Sequence, residues 1–183
     1  MRKALYILGI LDDNDVSWLA TTGKAQAISA GTVIIQQGVP VDSVFILIDG
    51  QLLVYSGSVE IAKLMAGEIV GEISFVDSRP PSASVKATVN SQVLAVPKAA
   101  LRAKLEKDLG FASRFFLSLA TFLADRLRVA NARLSAGQKG VDGKFQEDVD
   151  ELHTEMLENI ALASARFDMI IKRLAGQSGA NRS

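Results

Sequence analysis

The stretch GEIVGEISFVDSRPPSASVKA, residues 67–87, decides how this chain reads. Gly71 and Glu72 precede a segment long enough for a single helical turn. A polar loop with Pro80 and Pro81 follows, and then the small residues Ser82, Ala83 and Ser84 open a strand. A turn of bare backbone N–H groups beside hydroxyls makes an anion cradle. A carboxylate next to such a cradle accepts from a sugar hydroxyl, so the combination suits a sugar phosphate.

Working outward, residues 24–97 have the period of strands. AQAIS, TVIIQQ, SVFILID, QLLVYS, VEIAKLM, SASVKATV and SQVLAVP are short and rich in Val, Ile and Leu, and glycines punctuate them. Strands at this spacing predict an antiparallel sandwich or barrel of the jelly-roll kind. Asp49-Gly50 between two apolar runs is a hairpin signal. On the N-terminal side, Asp13 or Asn14 is placed to cap a short helix through Val16, Trp18 and Leu19 that ends before Gly23.

Beyond Pro97 the period returns to that of helices. KAALRAKLEKD predicts a short helix, and Phe111–Ser135 a long one with Phe116, Leu119, Leu123, Leu127, Ala130 and Leu134 at three-four spacing. The first half of the long helix is apolar nearly all round, and the second narrows to a seam, the pattern of a helix leaving a core to meet a partner. Residues 136–144 carry glycines and read as a linker. Residues 145–175 read as one amphipathic helix stopping at Gly176, and residues 176–183 as a disordered tail.

Composition excludes several function classes. The 183 residues carry 20 basic and 20 acidic side chains and a net charge of zero, without the basic surplus of a nucleic-acid binder. There is no cysteine and one histidine, His153, which argues against thiolate or multi-histidine metal sites and against a catalytic triad. No nucleophile–base pair is visible, so the chain reads as a non-enzyme. Mean hydropathy is +0.24, yet no apolar run approaches the roughly 18 residues of a membrane span. The expectation is a cytoplasmic protein with apolar surface covered by oligomerisation.

GVPVDSVFILIDGQLLV, followed by GEIVGEISF and SASVKA, resembles the cyclic nucleotide-binding domain family over roughly residues 10–134. The resemblance implies an eight-stranded jelly-roll barrel flanked by N-terminal helices and long C-terminal helices, residues 1–135 forming the domain and its dimer helix. It implies that Glu72 accepts from the ribose 2′-hydroxyl, that Gly71 lets the backbone approach the sugar, and that Ser82 and the Ala83 N–H face the cyclic phosphate. Val54, Ile61 and Ala62 would border the base, and Asn131 on the long helix falls where family members contact it, sometimes across a dimer. The ligand implied is cyclic AMP, with cyclic GMP as the alternative.

One departure stands out. The family's cassette arginine, which pairs with the phosphate, aligns with Pro81, which has neither charge nor N–H. Arg79, two residues earlier, is the candidate substitute. Two functions follow as expectations. One is a cyclic nucleotide sensor that signals through helix rearrangement, as a homodimer through the Phe111–Ser135 helix. The other is an interaction scaffold that kept the fold and lost the ligand, binding an unknown protein through the 145–175 helix. The RPPSASVKA variant and the appended helix also resemble stand-alone bacterial proteins associated with bacteriocin-type export. A DNA-binding role is not expected, because the residues after Ser135 read as a linker, one helix and a tail.

Overall fold

The computed structural model describes residues 6–138 and 153–180. Two short helices, α1 (Tyr6–Ile10) and α2 (Asp13–Thr22), lead into eight strands: β1 (Lys24–Ile28), β2 (Val33–Ile35), β3 (Ser43–Asp49), β4 (Leu52–Ser56), β5 (Val59–Leu64), β6 (Ile69–Val70), β7 (Ser84–Ala87) and β8 (Ser91–Pro97). The one-turn helix α3 (Ile73–Val76) lies between β6 and β7. After β8 come α4 (Lys98–Lys107), α5 (Leu109–Gln138) and α6 (His153–Ala180). The strands form two four-stranded antiparallel sheets, in the orders β1-β8-β3-β6 and β2-β7-β4-β5. This is the expected eight-stranded jelly roll with helices at both ends.

The run SVFILID is apolar without alternation because both faces of β3 are covered. Val44, Ile46 and Ile48 join a core with the helices, while Phe45 and Leu47 point between the sheets toward Leu52, Leu64, Val85 and Val93. β8 divides in the same way, Leu94 and Val96 toward the helices and Val93 and Ala95 inward. A one-residue slip of either strand would exchange the two sets.

Asp49-Gly50 is not a hairpin. β3 already lies between β8 and β6 and has no free edge, so the chain crosses here to the other sheet. Gly50 makes the crossing at φ 96°, where a Cβ would stand 2.7 Å from the Ser91 Cα. The two-residue hairpin of this region is at Gly57-Ser58, joining β4 to β5, with Ser56 paired to Val59 and Gly57 at φ 57°.

The helix ends also differ from expectation. Asp12 caps α2, in a reciprocal box with Asp15, because its carboxylate reaches the Asp15 N–H at 2.9 Å. α5 runs through Ser135 to Gln138, and α6 through Gly176 and Gly179 to Ala180. A single glycine costs a helix only about 1 kcal/mol, too little to end one with this much length behind it. Residues 139–152, which hold the rest of the expected linker and the start of the expected last helix, lie outside the described residues, as do residues 181–183.

Two charged contacts fasten the helices. Arg114 of α5 donates through Nε to Asp15 Oδ2 at 2.6 Å and pairs with Asp12 at 2.9 Å. Burial pushes the Asp15 carboxyl up, but hydrogen bonds from Arg114 and the Asp12 N–H outweigh it and leave it below the usual aspartate value. α6 lies along α1 and α2, with Ala163, Ile170 and Leu174 in the core that contains Leu8, Leu11 and Val16. Arg166, 9% exposed, donates to the Leu8 and Gly9 carbonyls at 3.1 and 3.0 Å and to Asp13 at 2.8 Å. It thereby satisfies acceptors at the end of α1 that have no helical partner. Arg166→Ala is expected to remove roughly 1–3 kcal/mol of stability, read as a lower urea midpoint at unchanged m-value. An unchanged midpoint would show that α6 does not hold α1 in solution.

Candidate functional site

A small cleft, open to solvent, lies where α3, the start of β7 and α5 meet the second sheet. Its floor is apolar, built by Ile35, Val54, Val70 and Val85. The residues 70–74 form one wall, Pro81, Ser82 and Ala83 another, and Arg126 of α5 closes over the top.

The sequence forms this wall for local reasons. Gly71 sits at φ 86°, and a Cβ there would meet the Ser43 carbonyl oxygen at 3.0 Å, so glycine alone fits the bend from β6 into α3. The bend turns Glu72 inward at the head of α3. Ser74 donates to the Gly71 carbonyl at 3.2 Å and accepts from Lys98 Nζ at 2.8 Å, tying α3 to the start of α4. On the other face of α3, Phe75 meets Phe115 of α5 edge-on at 6.1 Å.

Glu72 is 2% exposed and accepts from Arg126 Nη1 at 2.8 Å through Oε1. Arg126 is 28% exposed at its side chain, lies over the Phe122 ring at 4.5 Å and makes a longer contact of 3.5 Å with the Ile69 carbonyl. Burial raises the Glu72 carboxyl above its usual value. The attraction of Arg126, the N–H groups of Glu72 and Ile73, and then Lys98 offset this only in part. The N–H groups at the head of α3 thus face the protein's own carboxylate. The Ser82 hydroxyl and the Ser82 and Ala83 N–H groups carry no hydrogen bond among the described residues. The donors of the cleft left without a partner among the described residues therefore lie on the loop before β7.

Of the residues singled out from sequence, Gly71, Glu72, Ser82, Ala83 and Val54 come together in the lining. Four do not. Arg79 is exposed: its N–H donates to Asp77 Oδ1 at 3.0 Å, and Ser78 between them sits at φ 57°. Ile61 is exposed on β5, and Ala62 is one strand away, paired with Val54. Asn131 is exposed on α5, beyond the lining. Ser84 is structural, its Oγ accepting from the Gln37 N–H at 3.0 Å. Arg126 is not among the residues singled out from sequence, since a charge beside the seam of α5 is what any solvated helix face carries. A basic residue four positions after Phe122, and so on the side of the helix that faces the domain, was the only signal.

The pair Glu72–Arg126 has a measurable consequence for stability. Glu72 keeps its proton to higher pH in the folded chain than in the unfolded one, so stability falls as pH rises through the glutamate range, above about pH 4.3. Glu72→Gln removes that loss. Thermal unfolding between about pH 4 and pH 8 is expected to show the variant gaining on the wild type as pH rises. A wild type that gains on the variant instead would mean that the ion pair outweighs the desolvation of its carboxylate.

Comparison with known proteins agrees with this architecture. Residues 25–108 match the family model "Cyclic nucleotide-binding domain". No curated protein sequence matches the chain. Among solved structures, a cyclic nucleotide-binding domain from Methylobacillus flagellatus shares 22% identity at a TM-score of 0.65, over 72% of this chain and 80% of that one. A cAMP-bound PfPKA-R chain shares 22% at 0.56, over 71% and 45%. A chain from work on a cyclic-GMP-dependent signalling pathway that regulates bacterial phytopathogenesis shares 19% at 0.55, over 63% and 95%. At these identities the likeness is one of fold, and with the family match across residues 25–108 it makes the jelly roll and its flanking helices the fold of a cyclic nucleotide-binding domain.

Proposed function

We propose that the chain is a regulatory sensor for a cyclic nucleotide, cyclic AMP in the first place and cyclic GMP as the alternative. The observation that carries this reading is the juxtaposition in one cleft of a buried carboxylate, Glu72, with the open hydroxyl and N–H groups of Ser82 and Ala83. In the bound state the sugar lies against Gly71 and gives its 2′-hydroxyl to Glu72. The cyclic phosphate takes the Ser82–Ala83 edge, and the base lies over Val54 toward β5, where Ile61 and Ala62 stand. Arg79, exposed outside the lining, has no part in this arrangement. The cAMP-bound and cGMP-linked neighbours support the ligand class, and their folds do not choose between the two bases.

Signalling requires that the ligand prefer one of two conformations, since an equilibrium moves only by differential affinity. Two contacts make the helix sensitive to the cleft: Arg126 on Glu72, and Phe115 on Phe75. Occupation of Glu72 by a ribose hydroxyl disturbs the first directly. Repacking of α5 then passes to a partner. Phe116, Ala120 and Leu127 are exposed on one side of α5, Leu127 at 61%, and continue a stripe through Leu123. A second copy pairing along this stripe would cover it, with Asn131 at its edge within reach of the other copy's ligand. No helix among the described residues is long and apolar enough to cross a membrane, which fits a sensor working in the cytoplasm.

A second reading, an interaction scaffold without a ligand, is favoured by Pro81 and by the ion pair that closes the cleft. In it, the outward side of α6, with Leu162 and Ile171 exposed, meets an unknown protein, such as an export component. The buried side of α6 is already packed on α1 and α2.

Isothermal titration separates the two readings. The wild type is expected to release heat with cyclic AMP or cyclic GMP, and Glu72→Ala to lose at least about tenfold in affinity. No heat and no thermal shift with either nucleotide at millimolar concentration would overturn the sensor. For the assembly, sedimentation of the wild type at micromolar concentration should show a dimer that Leu127→Asp converts to monomer; a monomeric wild type would remove the α5 interface.

A further inference from the structure

We propose that Arg126, reaching the cleft from α5, is the counter-charge for the ligand's phosphate, exchanging its partner Glu72 for the phosphate oxygens when the site fills. The inference rests on the cyclic nucleotide reading above and assigns a cation that the cassette itself does not contain.

Electrostatics demand such a group. A cyclic phosphodiester brings a full negative charge into a cleft that already holds Glu72, and two anions sharing a poorly solvated site repel strongly. The lining contains Arg126 as its one cation among the described residues; apart from the Glu72 carboxylate, the rest of the walls are apolar, hydroxyl or backbone. Pro81 stands at the edge beside Ser82 and carries no charge. Arg79 is exposed and outside the lining, and Lys98 is engaged by Ser74.

The geometry of Arg126 suits the exchange. A guanidinium has five N–H donors in a planar fork. Here Nη1 holds Glu72 and Nη2 makes only the 3.5 Å contact with the Ile69 carbonyl. The plane is kept in place by the Phe122 ring at 4.5 Å, not by a rigid set of hydrogen bonds. It lines the same cleft as Ser82 and Ala83, so its fork can turn from the Phe122 ring and Glu72 toward that edge. Glu72 then loses a donor and gains the sugar hydroxyl, so its buried carboxylate is never left unpaired. The same residue thus closes the empty cleft and helps to hold the ligand.

The test compares cyclic AMP with adenosine, which lacks the phosphate, by titration calorimetry on the full chain. Arg126→Gln is expected to weaken cyclic AMP roughly ten- to hundredfold while leaving adenosine nearly unchanged, and Arg79→Ala to change neither. Adding Pro81→Arg to Arg126→Gln should restore part of the lost affinity, because it returns a guanidinium to the same oxygens from the loop. Arg126→Met, which keeps an unbranched apolar side chain beside Phe122, replaces the glutamine variant if that variant does not fold. Wild-type affinity for cyclic AMP in the Arg126 variants would overturn the proposal. So would an equal loss for cyclic AMP and adenosine, which marks a purely structural role. Absence of binding by the wild type would instead overturn the sensor reading itself, and this inference with it.

Discussion

A carboxylate buried in a half-apolar cleft cannot stand alone, and the arrangement of this domain follows from that constraint. Glu72 is carried inward by a bend that only glycine permits, at the head of a helix of one turn. Its counter-charge comes from a residue 54 positions later, on a helix outside the barrel. Desolvation works against the pair and the guanidinium works for it, and the balance lies on the side of desolvation. The empty cleft is therefore held by an ion pair that only partly offsets the burial of its own carboxylate. That is the energetic character of a contact that can be traded for another, and a poor one for a contact meant only to fasten a helix.

The rest of the fold supplies rigidity where the cleft does not. β3 and β8 serve two cores at once, the interior of the roll and the layer beneath the helices. Trp18, Phe111 and Phe115 run between α2 and α5 at centroid distances of 5.4 and 5.6 Å, and Phe75 brings α3 into contact with the same series. Asp15–Arg114 fixes the first half of α5 and Arg166 fixes α6 to α1. Beyond Phe122, Leu123 still packs against the core and Arg126 reaches Glu72, while Leu127 is exposed. The first half of that helix belongs to the domain's core, and the second is less buried.

Much of this was legible in the residues because local rules and the global fold agree there. Continuous apolar runs marked strands covered on both faces, and the cassette's small residues and carboxylate marked the cleft. The failures have physical causes. Asp49-Gly50 has the chemistry of a hairpin, but a turn residue specifies a backbone conformation and not which sheet receives the next strand. β6 is two residues long, too short to show a period. Glycines near the ends of α5 and α6 were read as stops although one glycine is a small perturbation on a long helix. Arg126 was missed because its role depends on a tertiary contact across 54 residues, and charge on a helix face looks the same whether it meets water or a buried carboxylate.

The position of the cation has a thermodynamic consequence that its identity alone does not. A guanidinium on the loop before β7 would bind phosphate whatever α5 did, and ligand affinity would be independent of helix position except through the base. With the guanidinium on α5, the phosphate contact proposed for Arg126 would exist only when the helix is placed to make it. Any partner that displaces α5 must then weaken the ligand by the factor by which the ligand weakens that partner, because coupling between two binding events is reciprocal. If a second copy covers the stripe through Leu123 and Leu127, dimer formation and ligand affinity become linked through the same helix. On this argument the proline at position 81 moves the site's strongest electrostatic contact from the scaffold to the moving part, and so exchanges some affinity for coupling.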